Sequence, residues 1–439
     1  MIGKQKRVVL AGAVGNALEW YDFTIYAFFV PLIASQFFPN TDPYVSLVAT
    51  FGVFAVGFLV RPLGAILFGY IGDHAGRKKS LIISMIMMSF PTFLIGLLPN
   101  YASIGVWAPL MLIALRIIQG LAVSGELTTA TVFLIEHADN DKRGLAGSLA
   151  MAGALFGMVL SSSFASLVSE FASDTQLASW GWRVPFLLGG LLGVAGLILR
   201  LRSIEPEVFE KTFSSMDKEQ QNAGVRAHIS TLNYRTLFIG ICLTSIMAIG
   251  NYFLIAYFNT FLIENQGLPL RSVMIVNTLA IATQFIMTLL MGRLSDFVGR
   301  KIVLGFGIII ISVLIHPIFW LLTQHDIYLV LVGEVLYALA AGTLSGVIPT
   351  TLAELFETYH RTMGISLTYN ISLALFGGTA PLVAISLVAA THNVFAPAWY
   401  LIICAGIAFI ALLSIKESYR SSFRLMDVGS VIKKELHLR

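Results

Sequence analysis

A chain of 439 residues that is 57% apolar and only 12% charged departs far from soluble proteins, which carry about 25% charge. Its mean hydropathy of +0.82 excludes a soluble globular enzyme and points to lipid. Unalternating apolar runs such as 90–98 and 303–314 exclude a barrel of short alternating strands and leave membrane helices of about 20 residues each.

The chain starts with Lys4, Lys6 and Arg7 and runs at once into a long span containing Glu19 and Asp22, so no cleavable leader is expected. Six spans are predicted near 8–34, 44–71, 80–99, 106–135, 145–168 and 182–200. The hydrophilic stretch that follows reads as a cytoplasmic linker over 202–235, closing a first half at 1–201. Six more spans are predicted near 236–263, 272–292, 302–323, 327–352, 364–390 and 395–415, a second half at 236–415, before a short basic tail at 416–439. Cys242 and Cys404 lie inside apolar runs and read as packing residues. Short basic loops stay cytoplasmic. With twelve spans, 24 of the 28 Lys and Arg residues fall on one side, only Arg183 and Arg271 on the other, and Arg61 and Arg116 within spans. Both termini are therefore expected in the cytoplasm.

Two basic loops repeat across the linker. GYIGDHAGRKK at 69–79 matches GRLSDFVGRK at 292–301, pairing Asp73 with Asp296 and Arg77 with Arg300 at an offset of 223. Glu136 and Arg143 after span 4 are likewise matched by Glu354 and Arg361 after span 10. Such a parallel repeat of two six-helix halves is a transporter architecture in which the halves rock about a midplane site. The eight residues Asp73, Arg77, Glu136, Arg143, Asp296, Arg300, Glu354 and Arg361 are the candidate cytoplasmic gate, since arginine reaches carboxylates across a helix junction.

Five ionisable residues lie well inside spans: Glu19, Asp22, Arg61, Arg116 and Glu126. Each would cost about 2.5–3.5 kcal/mol facing lipid at the midplane, so they are expected to face one another, a substrate or water. On a helix of 100° per residue, Asn16, Glu19, Asp22 and Tyr26 form one stripe, and Arg116, Gln119 and Glu126 another. Three acids against two bases leave one carboxylate that a proton can balance. Glu126, Asp22 and Glu19 are therefore the candidate proton carriers. Arg116 and Arg61, whose planar forks grip a carboxylate, are the candidate substrate anchors with Asn16, Tyr26 and Gln119. A permanently paired structural cluster is the competing reading. In the second half Asn251, Tyr252, Tyr369 and Asn370 offer amide and aromatic contacts, the rings also able to hold a quaternary ammonium. Glu334 reads as structural, snorkelling or meeting an Asn or Tyr, and Trp20, Trp107 and Trp320 as packing or interface residues.

The loop signature, together with GNALEWYDFTIY at 15–26, VRPLGAILFGYIGDHAGRKK at 60–79, LRIIQGLAVSGEL at 115–127, WGWRVPF at 180–186 and LAELFETYHRTMGISLTYNISLALFGGTAP at 352–381, resembles the metabolite–proton symporter family of the major facilitator superfamily. That family includes proline/betaine, citrate, 2-oxoglutarate and shikimate permeases. The resemblance covers nearly the whole chain. It implies an all-α fold of twelve helices in two pseudo-symmetric halves, a cavity lined by spans 1, 4, 7 and 10, and residence in a bacterial inner membrane. The chain departs from the family pattern at IEPEVF (204–209) and at Ser124. Its tail shows no apolar heptads of a coiled coil, which argues against osmosensing of that kind.

The expected activity is proton-coupled import of a small carboxylate-bearing metabolite or zwitterion. A sodium-coupled or uncoupled facilitator is the alternative, and a non-transporting sensor a more distant one. No phosphate loop, HExxH or triad signature is present, so no enzyme activity, cofactor, metal or nucleic-acid partner is expected. The expected partners are substrate, protons and lipid, with the chain acting as a monomer.

Overall fold

The computed structural model describes the backbone of residues 2–75, 77–123, 126–201, 233–357 and 361–419, and side chains there except at 2–14, 69–70, 72–75, 77–78, 126 and 199–200. The expected linker falls almost wholly outside these residues. Eleven helices are long and apolar enough to cross a membrane, and a bent pair, Gly15–Phe28 with Val30–Phe37, supplies the twelfth crossing.

The spans are, in order, Ile2–Phe28 with Val30–Phe37 (span 1), Pro43–Leu59 with Arg61–Ala75 (span 2), Arg77–Leu97 (span 3), Trp107–Ala122 with Glu126–Glu136 (span 4), Arg143–Phe171 (span 5) and Gly181–Arg183 with Val184–Leu201 (span 6). The second half follows as Tyr234–Asn265 (span 7), Leu270–Val298 (span 8), Arg300–Leu322 (span 9), Ile327–Leu355 (span 10), Arg361–Thr391 (span 11) and Ala396–Leu413 (span 12).

Local chemistry sets the ends and bends. Asp42, Asn233 and Asp326 each accept from backbone N–H groups at the starts of spans 2, 7 and 10, satisfying donors that a helix start leaves open. Span 1 bends by 63° at Phe29, just before Pro31. Span 2 breaks at Val60, before Arg61 and Pro62, because a proline ring clashes with the carbonyl four residues earlier. That break places Arg61 at a helix start inside the membrane. Span 7 contains two wide π turns, Phe253–Tyr257 and Phe261–Asn265, and span 11 one, Leu373–Gly377.

The outside of the bundle is apolar: Leu63, Ile66, Phe90, Leu191, Phe238, Ile286, Val313 and Ile410 are all exposed, as suits a surface dissolved in hydrocarbon. Span 7 is the most enclosed, with 83% of its apolar window buried against 39–56% for the other straight spans. Span 5 packs along span 8 and span 2 against span 11, joining the halves. Spans 2 and 4 cross at Gly57 and Gly120, where a Cβ on Gly120 would lie 2.0 Å from the Gly57 carbonyl oxygen. Only glycine permits that approach, and it sets the depth of Arg116 one turn away.

Candidate functional site

At the core of the bundle the Pro62-induced break and the Gly57–Gly120 crossing bring two arginines together. Arg61 is 1% and Arg116 0% exposed. The Arg61 guanidinium lies 4.3 Å from the Phe23 ring centre, 4.2 Å from Phe58 and 5.3 Å from Trp20. That of Arg116 lies 4.4 Å from Phe23, 4.6 Å from Tyr26 and 5.4 Å from Phe54. Aromatic faces attract cations within about 6 Å. Arg116 also donates to Gln119 Oε1 at 3.0 Å and to the Phe23 carbonyl at 3.4 Å, yet Nε and Nη2 of both arginines have no hydrogen-bond partner. A buried donor left in that state costs about 1–3 kcal/mol. The two cations also repel one another. Across the boundary between halves, Tyr252 packs edge-on against Phe54 and Phe58, with ring centres 5.9 and 4.8 Å apart. Glu19 and the neutral phenols of Tyr252 and Tyr369 lie near Arg61.

The expected polar stripe of span 1 divides in two. Tyr26 presents its ring to Arg116 while its hydroxyl donates to the Thr50 carbonyl at 3.1 Å. Asn16 turns toward span 5, donating to the Ala150 carbonyl at 3.4 Å. Asp22 is 2% exposed and makes no ion pair with either arginine: its Oδ2 accepts from Ser89 at 2.9 Å and its Oδ1 has no partner. Asp22 lies instead against spans 3 and 6, where Gly189 leaves room for it. Asp22 and Arg116 share a scaffold all the same. Gln119 donates to Thr92 at 2.8 Å, one turn along span 3 from Ser89. A narrow cleft bordered by Gly15, Glu19, Ser84, Met88 and Ser89 reaches the same place.

In the second half, Asn251 is held by its neighbours: its Oδ1 accepts from Gln284 at 2.5 Å and from Ser345 at 3.1 Å. Asn370 donates to the Ser366 carbonyl of its own helix at 2.9 Å. Trp20, expected to be a packing or interface residue, is buried under Arg61, whereas Trp107 and Trp320 are exposed. Glu334 is fully buried rather than snorkelling. The side chain of Glu126 lies outside the described residues.

At the end of the bundle that carries the basic loops, six of the eight gate candidates are described, four joined in one cluster and two in a separate pair. Asp296 accepts from the backbone N–H groups of Gly144 at 2.7 Å and Leu145 at 3.0 Å, capping span 5 of the other half. Arg300 joins Asp296 at 3.0 Å and grips both oxygens of Glu354 at 3.3 Å, and Arg143 pairs with Glu354 at 3.3 Å. Arg361 pairs with Glu136 at 2.7 Å. The side chains of Asp73 and Arg77 lie outside the described residues. Gly299 takes φ +106° and ψ 154°, a backbone region that is essentially glycine's alone, which explains the glycine of the loop motif. Sequence reasoning missed the segment after span 12. Glu417 accepts from the N–H groups of Arg300 at 3.0 Å and Lys301 at 2.9 Å, Ser418 donates to Glu354 at 2.5 Å, and the Tyr419 carbonyl accepts from Arg143 at 3.4 Å. At the opposite end the halves meet through Asn265 with Tyr44 at 2.8 Å and through the exposed pair Glu170–Arg271. The two halves are thus in contact at both ends of the bundle.

Residues 8–207 match the family model described as "Sugar (and other) transporter", and residues 240–424 the one described as "Major Facilitator Superfamily". The chain is 35% identical over 423 residues to a proline/betaine transporter of Salmonella typhimurium, covering 95% of this chain and 84% of that protein. It is also 35% identical to a glycine betaine/proline/ectoine/pipecolic acid transporter of Dickeya dadantii, with the same coverage. Among solved structures, a partially occluded inward-open xylose transporter from E. coli superposes with a TM-score of 0.73 at 16% identity, covering 95% of this chain and 99% of that one.

Proposed function

Because the chain belongs to the major facilitator superfamily of transporters, we propose that it imports a small zwitterion or carboxylate of the proline/betaine kind, driven by protons, through alternating access of its two halves. The observation that carries this reading is the pair of buried arginines. Two cations share one aromatic enclosure between the halves and keep N–H groups unused. A carboxylate there would satisfy those donors bidentately. The rings of Trp20, Phe23, Phe54, Phe58 and Tyr252 provide faces for a methylated ammonium beside it. The relatives named for proline and betaine support this pairing of an anionic and a cationic end.

Asp22 suits the proton. It is buried, has one oxygen without a partner, and is linked through Ser89 and span 3 to the Thr92–Gln119–Arg116 chain. Glu19, at the cleft that ends at Ser89, is placed to pass that proton toward the end with the basic loops, which we assign to the cytoplasm together with both termini. The Arg143–Glu354–Arg300 cluster and the Arg361–Glu136 pair then act as the cytoplasmic gate, broken when the halves rock to release substrate.

Uptake of radiolabelled proline and glycine betaine into proteoliposomes under an inward proton gradient tests the reading. Uptake should collapse with a protonophore and be lost in Arg116→Ala. Uptake that ignores the protonophore and follows a sodium gradient would replace protons with sodium as the coupling ion.

A further inference from the structure

A second buried carboxylate lies in the other half of the molecule. Glu334 is seven residues from Ile327, the first residue of span 10, about 10 Å into the helix at 1.5 Å per residue, and has no solvent exposure. Its Oε2 accepts from Asn277 Nδ2 at 3.1 Å, and the same amide donates to the Leu254 carbonyl at 2.7 Å inside the first π turn of span 7. Its Oε1 has no hydrogen-bond partner, and neither has Asn277 Oδ1. One turn along, Tyr337 packs its ring on Phe258 at 4.7 Å and its hydroxyl is also without a partner.

Among the described residues no cation pairs with this group, whose hydrogen bond comes from the Asn277 amide. Span 7 carries Glu264, itself an acid, near the same end, and the charged groups named next on the other helices around span 10 are engaged elsewhere. On span 5, Arg143 pairs with Glu354 and Glu170 with Arg271. On span 8, Arg293 pairs with Asp296, and on span 9 Arg300 holds Glu354 while His316 lies against Trp399. An ionised carboxylate without a counter-ion in a dry interior costs so much that such groups take up a proton or a cation. The internal repeat sharpens the point. In the register that pairs Glu136 with Glu354, Arg116 corresponds to Glu334, and in the register of the loop motif Phe54 corresponds to Asn277. Where the first half sets a cation beside an aromatic ring, the second sets a carboxyl group beside an amide.

We propose that Glu334 is a second proton-binding site, holding its proton as a carboxylic acid whenever spans 7, 8 and 10 are packed as here. A single proton suffices because Asn277 already supplies a donor to the other oxygen. Occupancy of this site does not depend on the import reading; only its use in the transport cycle rests on that reading.

The test is infrared difference spectroscopy, titrated with pH, on the full chain in phosphatidylethanolamine–phosphatidylglycerol vesicles in sodium-free buffer. Wild type should show a buried carboxylic-acid C=O band that disappears at alkaline pH. One component of it should be absent in Glu334→Gln and retained in Asp22→Asn. Because glutamine has the shape of the protonated acid, Glu334→Gln should melt like wild type at acid pH and at a higher temperature than wild type at alkaline pH. A full band in Glu334→Gln, or loss of the Glu334 component on adding sodium at constant pH, would overturn the proposal, the latter in favour of a cation site. If Glu334→Gln does not fold, Glu334→Asp must shift one component of the band, and an unshifted band overturns the proposal equally. Vesicles that take up neither proline nor betaine while the Glu334 component still titrates would remove the import reading and leave this one standing.

Discussion

The two halves share one helical frame and carry opposite polar chemistry. In the first, Arg61 and Arg116 sit among Phe23, Phe54 and Phe58 with N–H groups unused. In the second, the residue in register with Arg61 is Gln284, which donates to Asn251, and the one in register with Arg116 is Glu334. The charged loop residues thus recur in both halves of the sequence while the interior residues differ. The first half holds the buried cations; the second contributes neutral amides and hydroxyls, several of them with an atom left unpartnered, and the Tyr252 ring that packs against Phe54 and Phe58.

The sharpest way to break this asymmetry is Arg116→Lys. An ammonium cannot reproduce the planar fork or its stacking on Phe23 and Tyr26, so uptake should fall at least about a hundredfold, matching the loss of a bidentate charge-assisted contact of about 3 kcal/mol. The reciprocal change, Gln284→Ala, should alter uptake much less; equal losses in proteoliposome assays would dissolve the distinction between halves. Next in size is Glu354→Gln, which strips the shared partner from Arg143 and Arg300. Breaking a buried pair costs about 3–5 kcal/mol, expected as a lower melting temperature and as faster labelling of cysteines introduced at the basic end. Gly120→Ala forces a Cβ toward the Gly57 carbonyl and should cost about 1–3 kcal/mol, with uptake reduced because Arg116 moves with its helix. The smallest effect is expected from Glu170→Gln, since its pair with Arg271 is exposed and such pairs contribute about 0–1 kcal/mol. A melting shift as large as that of Glu354→Gln would show that both ends are latched alike.

The spans themselves were legible because hydrocarbon imposes length and apolarity on each: the expected 302–323 and 327–352 are realised as Arg300–Leu322 and Ile327–Leu355. The clustering of Arg143, Asp296, Arg300 and Glu354, and the pairing of Glu136 with Arg361, could be anticipated because a repeat marks its own corresponding residues. Bends and wide turns were not. The π turns of spans 7 and 11 leave no mark on an apolar sequence, since they change which way residues face and not which residues are apolar. The stripe drawn on span 1 placed Asp22 with the arginines, while the structure gives it to Ser89, because helical spacing does not say which neighbouring span a face will meet. Gln284 and Ser345 were invisible as partners of Asn251 because three separate spans must meet to join them. Trp20 looked like any membrane tryptophan until the break at Val60 brought Arg61 over it.

The segment that follows span 12 has a practical consequence. Its Glu417 caps span 9 and its Ser418 touches the carboxylate shared by Arg143 and Arg300, so it is wired into the machinery rather than trailing from it. A purification tag, reporter fusion or truncation placed at residue 417 would disturb the Arg143–Glu354–Arg300 cluster directly. The same fusion placed several residues beyond Tyr419 would leave those contacts free to form, and the difference in activity between two such otherwise identical preparations would measure how tightly that segment holds the halves together.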